Sequence, residues 1–297
     1  MFNISYIIST RNRFSFLKIT LEKLISVLEE DEEIVVVDGN SSDATGLYLE
    51  NLFKEGKIHQ LLIEPDKNQA HGWNKAMLLA KGLIIKKIID DDVFDYNAIR
   101  KCATYMLSNP EIDVLISNDL LGSLQNKIEI REASRLNQYQ KWLKGHVSSF
   151  TFGDVHMLIR KSSLTYIGLY NTSYIMMDWE YSLRISFLKA NIAYYTGYNA
   201  LSVAHSENIS TLKNVKKIEE QGKRALQFYE YAGDNAEISL WSKTKIAIGK
   251  ILHKHKPSQI RPQQKVSIDE IPKIYQYMQS QLEVVNSGHF TFIKQSD

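Results

Sequence analysis

The chain has 297 residues, of which 44% are hydrophobic and 24% charged, and its formal net charge is +2 at pH 7. This length allows one large domain or a domain with an appendage, and the small net charge excludes a strong electrostatic case for nucleic-acid binding. A single cysteine, Cys102, excludes an internal disulfide and a cysteine-built zinc site. The amino-terminal residues lack the basic and apolar regions of a signal peptide, and no apolar run reaches the length of a membrane span. We therefore expect a cytoplasmic protein.

Short apolar segments alternate with amphipathic segments over the first 120 residues. The pattern predicts strands at 3–9, 33–38, 58–64, 83–89 and 113–119, and helices at 14–28, 43–53, 69–81 and 96–107. Such alternation is typical of an α/β fold with a mainly parallel sheet flanked by helices. From about residue 212 the alternation stops, and the segments 213–233, 236–258 and 268 onward are predicted to be helical.

The loops after the predicted strands are rich in polar residues. They read "STRNR" at 9–13, "DGNSSDAT" at 38–45, "EPDKNQ" at 64–69 and "DDD" at 90–92. Because ligands bind at the carboxyl ends of strands in an open α/β sheet, these loops are expected to face one crevice. Its charged residues would be Asp38, Asp43, Asp66, Asp90, Asp91, Asp92, Arg11, Arg13 and Lys67. Several carboxylates with a few cations suit a divalent metal and a phosphorylated ligand, and oxygen ligands favour Mg²⁺ or Mn²⁺ over zinc.

A simpler interpretation of the acidic triplet remains open at this point. Acidic residues after a strand often face solvent in a turn or cap the next helix, as Asp95 is expected to do for the helix at 96–107. The first strand is not followed by a GxGxxG sequence, and the chain has no GxxxxGK[ST] sequence. A dinucleotide cofactor or a P-loop nucleotide site is therefore not expected.

Five segments in chain order resemble the family 2 glycosyltransferases, which have the GT-A fold. They are "YIISTRNR", "VVVDGNSSDAT", "EPDKNQAHGWNKAMLLAKG", "IIDDD" and "MMDWEYSLR", and the likeness covers about residues 3–210. The resemblance implies an inverting transferase that uses a nucleotide-diphosphate sugar, with UDP the expected nucleotide, and Mg²⁺ or Mn²⁺. The acceptor would be a hydroxyl of a glycan or a lipid-linked molecule, in surface polysaccharide or glycoconjugate synthesis.

The resemblance also implies a domain division and a set of site residues. A catalytic domain would span 1–211, with a nucleotide-sugar half at 1–120 and an acceptor half at 121–211, followed by a helical extension at 212–297. Residues that match the family's nucleotide-sugar site are Thr10, Arg11, Asn12, Asp38, Ser41, Asp43, Asp66, Asn74 and Lys75. Asp38 would accept a hydrogen bond from the base. Asp43 would equally serve as a helix cap, and Lys75 as a surface charge.

The triplet resembles the family's DxD element. Asp90 would face the ribose or the sugar with Asp91 beside it, and Asp92 would hold the metal that bridges the two phosphates. The register stays open, since either Asp90-x-Asp92 or an Asp91–Asp92 pair fits the pattern. His205 falls where some relatives supply a further metal ligand.

The segment "MMDWEYSLR" matches the family's acceptor-site motif. Asp178 would be the catalytic base, and Glu180 and Arg184 would bind substrate. Acidic residues in a first helical turn are also favoured by the helix dipole alone. Trp142, His146 and Phe150 lie where relatives build acceptor contacts, and they fit a hydrophobic core equally well.

The predicted helix at 236–258 carries Trp241 and a series of lysines opposite its apolar side. Such a helix either lies on an anionic bilayer, as a peripheral contact at the inner face of the membrane, or packs on the catalytic domain. Two other functions fit part of the pattern. A metal-dependent nucleotidyltransferase also pairs aspartates with a nucleotide, but it usually has a glycine-rich loop after the first strand. A non-catalytic sugar-binding module would not need both acidic motifs.

Overall fold

A computed structural model of the chain describes residues 2–124, 130–204, 215–231, 233 and 268–295. The first half contains β1 (Ile4–Thr10), α1 (Phe14–Val27), β2 (Glu32–Asp38), α2 (Thr45–Lys54), β3 (Gln60–Ile63), α3 (Gln69–Leu79), β4 (Ile84–Lys87), β5 (Val93–Phe94), α4 (Tyr96–Ser108), β6 (Val114–Ser117) and β7 (Asp119–Ser123). It continues with β8 (Arg131–Ala133), α5 (Leu136–Leu143), β9 (Met157–Arg160), α6 (Leu164–Ile167), α7 (Met177–Phe187), β10 (Ile192–Tyr195), β11 (Ala200–Ala204), α8 (Val215–Tyr229), α9 (Ile271–Val285) and β12 (Phe292–Ile293).

The larger of two sheets has eight strands within the described residues, in the order β12-β10-β6-β9-β4-β1-β2-β3. β9 and β12 run antiparallel to their neighbours, and the other pairs are parallel. Thr10 at the end of β1 lies opposite Asp38 at the end of β2. The polar loops that follow these strands therefore leave the sheet at the same edge. The predicted α/β fold with a mainly parallel sheet and flanking helices is confirmed.

Alternate residues of the central strands enter two hydrophobic clusters on opposite faces of this sheet. Ile8 and Val36 pack on one face with residues of α1 and α4. Ile7 and Val37 pack on the other face with residues of α3 and α7, among them the fully buried Trp73. Because both faces are covered, β1 and β2 read in the sequence as nearly continuous apolar runs.

The smaller sheet has the order β5-β11-β7-β8 and was not predicted from the sequence. The single strand expected at 113–119 is in fact two strands, because the chain leaves the larger sheet after Ser117 and enters the smaller one at Asp119. α9 packs against β5 and β11. The Tyr275 hydroxyl of α9 donates to the backbone oxygen of Asp91 in the acidic triplet.

The carboxyl-terminal region is only partly described. Predicted helices at 213–233 and from 268 onward correspond to α8 and α9. The chain then adds β12 to the edge of the larger sheet, where Tyr194 lies opposite Ile293, a pairing that the sequence did not predict. The basic helix expected at 236–258, its membrane contact and His205 all lie outside the described residues. None of the described helices combines the length and hydrophobicity needed to cross a bilayer.

β4 contains two buried lysines in the middle of the sheet. Lys86 is 0% exposed, and its Nζ donates to the backbone oxygen of Val155 and, at 3.0 Å, to Oδ1 of Asn199. Burial lowers the pKa of Lys86 to about 7. Lys87 forms an ion pair with Asp154, and its ammonium lies 4.4 Å from the ring centroid of Trp73.

Lys86→Met is expected to flatten the pH dependence of stability at alkaline pH. An unfolded lysine has a pKa of about 10.4, so the unfolded chain binds more protons than the folded chain between about pH 7 and pH 10. The contribution of Lys86 to the free energy of unfolding therefore rises with pH across this window. Denaturant unfolding measured at several pH values tests this, with exposed Lys81→Met as the control. A wild-type slope in Lys86→Met would contradict the assignment.

Candidate active site

A cavity of about 820 Å³ lies between the two sheets, at the edge where the polar loops emerge. Its walls come from the loops after β1, β3 and β4, from the smaller sheet, and from the residues that begin α7. The predicted site residues that line it are Thr10, Arg11, Asp66, Asp90, Asp91, Asp92 and Asp178. The structure therefore brings the acidic triplet and Asp178 to one cavity, although they are far apart in the chain. A volume of this size accommodates a ligand larger than a single sugar.

The acidic triplet is buried, and its members have separate contacts. Asp90 accepts a hydrogen bond from the Thr10 hydroxyl at 2.7 Å and lies 2.8 Å from Nε of Arg13. The same guanidinium also contacts Asp91. Asp92 instead turns toward the smaller sheet, where one carboxylate oxygen accepts from the Val203 amide at 2.7 Å. Arg13 was predicted to be one of the cations in these loops, but its contacts with Asp90 and Asp91 were not predicted.

Burial raises the proton affinity of Asp90 and Asp92. It raises the pKa of Asp90 to about 6, with Arg13 opposing the shift and Asp91 adding to it. Burial and the negative charge of Asp91 also raise the pKa of Asp92 well above its usual range. Carboxylates that raise one another's pKa in this way are stabilised by a nearby cation.

The residues present fit a metal ion that is shared with a phosphorylated ligand. Across the described segments, no group of three His, Cys, Asp or Glu side chains could hold a metal by itself. Mg²⁺, however, commonly binds through one or two carboxylates and completes its coordination with phosphate oxygens and water. Asp92 suits this role, because its carboxylate lines the cavity and the backbone amide of Val203 fixes one of its oxygens.

The loops after β1 and β2 are joined by the predicted nucleotide-loop residues. Asn12 donates its backbone N–H to the Ser41 hydroxyl at 2.8 Å, and the Ser41 amide donates to Asp38 at 3.2 Å. Asp43 accepts from the Thr45 amide at 3.0 Å in the turn before α2, but the residue at the N-cap is Ala44 and the predicted side-chain cap is not formed. Asn12, Asp38, Ser41 and Asp43 do not line the cavity. They fix the shape of the loops, and their contact with a nucleotide stays a prediction.

The segment before and within α3 is held in place by its polar side chains. Lys75 Nζ lies 2.7 Å from both Asp66 and Glu64, so this lysine positions Asp66 at the cavity. Asn74 exchanges two hydrogen bonds with the backbone of Tyr170, at 2.8 and 2.9 Å. Asn74 and Lys75 lie outside the cavity lining, and their predicted contact with the donor is not tested by this geometry.

Gly72 explains how closely α3 approaches the end of β1. A Cβ atom at this position would lie 2.2 Å from Oγ of Ser9 and 2.5 Å from Oδ2 of Asp66, so a larger residue would force these two side chains to move. The sequence analysis did not single out this glycine.

Asp178 lies at the start of α7, half-buried in the cavity wall. Burial and the negative charge of Asp154 raise its pKa, and the positive charge of Lys87 lowers it. Glu180 lies within the same helix but faces away from the cavity, whereas Asp154 lines it.

Glu180 and Arg184 have structural contacts. Glu180 is 1% exposed and accepts hydrogen bonds from Arg184 at 3.0 and 2.9 Å. It also accepts from the hydroxyl of Tyr229 in α8. Arg184 donates to the backbone oxygens of Ile167 and Leu169 at 2.8 Å, which ties α7 to the segment around α6. Their predicted role in substrate binding therefore rests on the resemblance alone.

Three residues were predicted to lie either at the acceptor site or in the hydrophobic core, and their burial separates them. Trp142 and Phe150 are 4% and 2% exposed and belong to the core, whereas His146 is exposed.

Several residues that line the cavity were not predicted from the sequence: Lys87, Asp119, Arg131, Arg135, Asp154, His156 and Ser202. Asp154 and His156 lie in a short 3-10 turn directly before β9. Because β9 is antiparallel to β4 and β6, its first residue lies at the edge where those strands end. The polar residues at the start of "DVHMLIR" (154–160) would have indicated cavity residues if the direction of this strand had been known.

Solved structures share this arrangement of sheet and helices. The chain resembles S. aureus TarS 1–349 in complex with UDP-GlcNAc, with a TM-score of 0.56 and 16% identity over 81% of this chain and 77% of that one. It also resembles the mannosyltransferase PcManGT from Pyrobaculum calidifontis in complex with GDP-Man and Mn²⁺, with a TM-score of 0.55 and 13% identity over 96% and 88% of the two chains. The fold is that of the GT-A glycosyltransferases.

Residues 5–168 match the family model described as Glycosyl transferase family 2. The match covers more than half of the 297 residues, and the chain belongs to this family.

Two curated relatives are similar in sequence. The poly-beta-1,6-N-acetyl-D-glucosamine synthase of Staphylococcus epidermidis is 22% identical over 64% of this chain and 47% of its own length. A PGL/p-HBAD biosynthesis glycosyltransferase of Mycobacterium tuberculosis is 25% identical over 71% of this chain and 78% of its own. The chain thus spans about half the length of the first relative.

Proposed function

We propose that this protein is an inverting glycosyltransferase that moves a sugar from a nucleotide-diphosphate donor, with UDP favoured, to a hydroxyl of a glycan or lipid-linked acceptor. The observation that carries the proposal is a single cavity lined by both the buried acidic triplet and Asp178. Membership of the family and the names of the two curated relatives support a role in surface polysaccharide or glycolipid synthesis.

On the donor side, the chain supplies a polar edge and a site for Mg²⁺ or Mn²⁺. Thr10, Arg11 and Asp66 would contact the nucleotide, and Asp92 would hold the metal. When bound, the metal stabilises the negative charge that develops on the departing nucleotide diphosphate. Arg13 already offsets part of the charge of Asp90 and Asp91, so the triplet keeps its shape when the donor is absent.

On the acceptor side, Asp178 would take the proton from the attacking hydroxyl. Inversion at the anomeric carbon requires one base on the face opposite the leaving group, and a positioned carboxylate is sufficient. A raised pKa suits this task, because a base is most effective when its pKa approaches the working pH. Burial and Asp154 supply that shift, and the Lys87–Asp154 ion pair fixes the position of the second carboxylate.

A donor screen tests the proposal. The full chain is incubated with Mn²⁺ and a panel of UDP- and GDP-sugars, and release of nucleotide diphosphate is measured over time. We expect slow hydrolysis of at least one donor and its loss in EDTA. Release of pyrophosphate from a nucleoside triphosphate and a sugar phosphate would instead show a nucleotidyltransferase. Donor binding without any release, also after acceptors are added, would show a binding module.

A further inference from the structure

The smaller sheet contributes a wall to the cavity that none of the roles above uses. We define the second-sheet cluster as Asp119, Arg135, Ser202 and the adjoining His156, all of which line the cavity. Asp119 is the first residue of β7, and Ser202 lies in the middle of β11. Their positions are fixed by paired strands rather than by a loop.

Asp119 is buried, and one of its carboxylate oxygens lacks a hydrogen bond. The residue is 6% exposed, and its Oδ2 accepts from Nε of Arg135 at 3.2 Å. Its Oδ1 has no hydrogen-bond donor among the residues that the structure describes. Nε2 of His156 lies 3.7 Å from this oxygen, which is beyond hydrogen-bonding distance.

His156 is also buried, and one of its ring nitrogens also lacks a hydrogen bond. It is 2% exposed, its Nε2 lies 3.3 Å from the Ser202 hydroxyl, and its Nδ1 has no hydrogen-bond partner in the described part of the chain. Burial lowers the pKa of His156 to about 4, so the imidazole is neutral near pH 7. A neutral imidazole can both donate and accept a hydrogen bond. Buried polar atoms without hydrogen bonds are costly, and in a residue that lines a cavity a water molecule or a ligand can supply the missing hydrogen bonds.

The side chains of the second-sheet cluster favour one chemical class of ligand over another. A carboxylate accepts hydrogen bonds and repels phosphate, so the nucleotide diphosphate does not fit against Asp119. Hydroxyl groups would fit if the Asp119 and His156 side chains turn toward the cavity that they line, because one hydroxyl can then donate to Asp119 Oδ1 while its neighbour exchanges a hydrogen bond with the His156 ring. Resting on the function proposed above, we propose that Asp119 and His156 bind neighbouring hydroxyl groups of a sugar ring, with Arg135 positioning the Asp119 carboxylate.

Two sugars could supply these hydroxyl groups: the sugar of the donor and the sugar of the acceptor. The same cavity is lined by the triplet and by Asp178, so a ring at the second-sheet cluster is compatible with either source. The donor sugar and the acceptor sugar would have different effects on the measured binding affinities. Donor recognition alters the affinity for a nucleotide sugar relative to the bare nucleotide, and acceptor recognition leaves that ratio untouched.

Asp119→Asn and His156→Phe test the proposal in the full chain. Calorimetry with Mn²⁺ compares UDP with UDP-GlcNAc, UDP-glucose, UDP-galactose and GDP-mannose, and saturation-transfer NMR with methyl glycosides in the presence of UDP and Mn²⁺ covers the acceptor. If the donor sugar binds the cluster, both variants weaken nucleotide-sugar binding about tenfold or more while UDP affinity stays within about twofold. If the acceptor sugar binds there, the ratio is unchanged and the methyl-glycoside signal is lost.

Glu132→Gln is the matched control, because Glu132 is an exposed carboxylate of β8, outside the cavity, that accepts a hydrogen bond from Tyr198. Thermal unfolding confirms that each variant is folded, and the more conservative His156→Gln replaces His156→Phe where the latter is not. Unchanged affinity ratios together with unchanged glycoside signals overturn the proposal. A wild-type protein that binds methyl glycosides in an Asp119-dependent way but no nucleotide refutes the proposed function and leaves the sugar subsite standing. Binding of neither ligand refutes both.

Discussion

Asp178→Asn is expected to reduce sugar transfer by about 10²–10⁴-fold, which is the usual effect of removing a general base. Binding of the nucleotide sugar should change little, because in the proposed function the triplet and the loop after β1 would contact the donor without this residue. Asparagine keeps the size and the position at the start of α7, so the change removes a proton acceptor and little else. Single-turnover transfer and donor calorimetry, measured on the same preparation, separate the two effects.

The control for this substitution is another carboxylate that lies outside the cavity. Asp113 accepts from the Ser163 hydroxyl at 2.6 Å and from the Asn191 amide at 2.8 Å, and it does not line the cavity. Asp113→Asn reports the cost of an Asp-to-Asn change to stability alone. If Asp178→Asn transfers sugar at the wild-type rate, the base is a different residue. Asp154 is then the next candidate, since it is the carboxylate beside Asp178 that also lines the cavity.

UDP binding is expected to weaken by about 10–100-fold when the divalent metal is removed with EDTA. Losing a charge-assisted contact costs about 1.5–3 kcal/mol, and the diphosphate would then face three buried carboxylates of which only Asp90 and Asp91 are paired with Arg13. Asp92→Asn should reproduce the effect of EDTA in the presence of Mn²⁺. Calorimetry of UDP with Mn²⁺, with Mg²⁺ and with EDTA measures all three conditions.

Two further variants decide which carboxylate holds the metal. Asp91→Asn removes one of the two carboxylates that contact Arg13, and it distinguishes the two possible registers of the triplet. Asp95→Asn is the control, because Asp95 caps α4 through the Ala98 amide at 2.9 Å and asparagine caps equally well. A metal-dependent loss in Asp91→Asn together with wild-type behaviour in Asp92→Asn would move the ligand to Asp91. Equal UDP affinity with and without metal would refute the metal site itself.

The sequence predicted the central sheet well because its strands are buried on both faces. β1, β2 and the start of β4 appear as apolar runs that end in polar loops, and Asp95 was correctly predicted as a helix cap. The direction of β9 has no local signal, since antiparallel and parallel strands have the same side-chain period. Lys86 and Lys87 were also missed, because two adjacent lysines indicate a solvated segment unless tertiary contacts bury them.

The candidate site likewise contains residues that the sequence predicted and residues that it did not. The triplet and Asp178 were found because the family resemblance marks them in the sequence. Asp119, Asp154 and His156 lie in segments that enter the cavity only through the smaller sheet and the reversal of β9. Their positions depend on pairings between distant strands, and such pairings leave no periodic pattern in one sequence. Glu180 lies two residues from Asp178 in the same helix, but it pairs with Arg184 and does not line the cavity, so its predicted role in substrate binding stays a prediction.

The contact between Tyr275 and the backbone of Asp91 has a consequence for the order of events during synthesis. The two residues are 184 positions apart, and Asn286 reaches back 191 positions to Asp95 just beyond the triplet. A ribosome therefore releases the central strands and the triplet long before it makes the helix that supports them. Contacts across such separations form late, because much of the chain must be ordered first. The central strands can therefore pair before α9 supports the acidic triplet, so the triplet reaches its final environment late in folding.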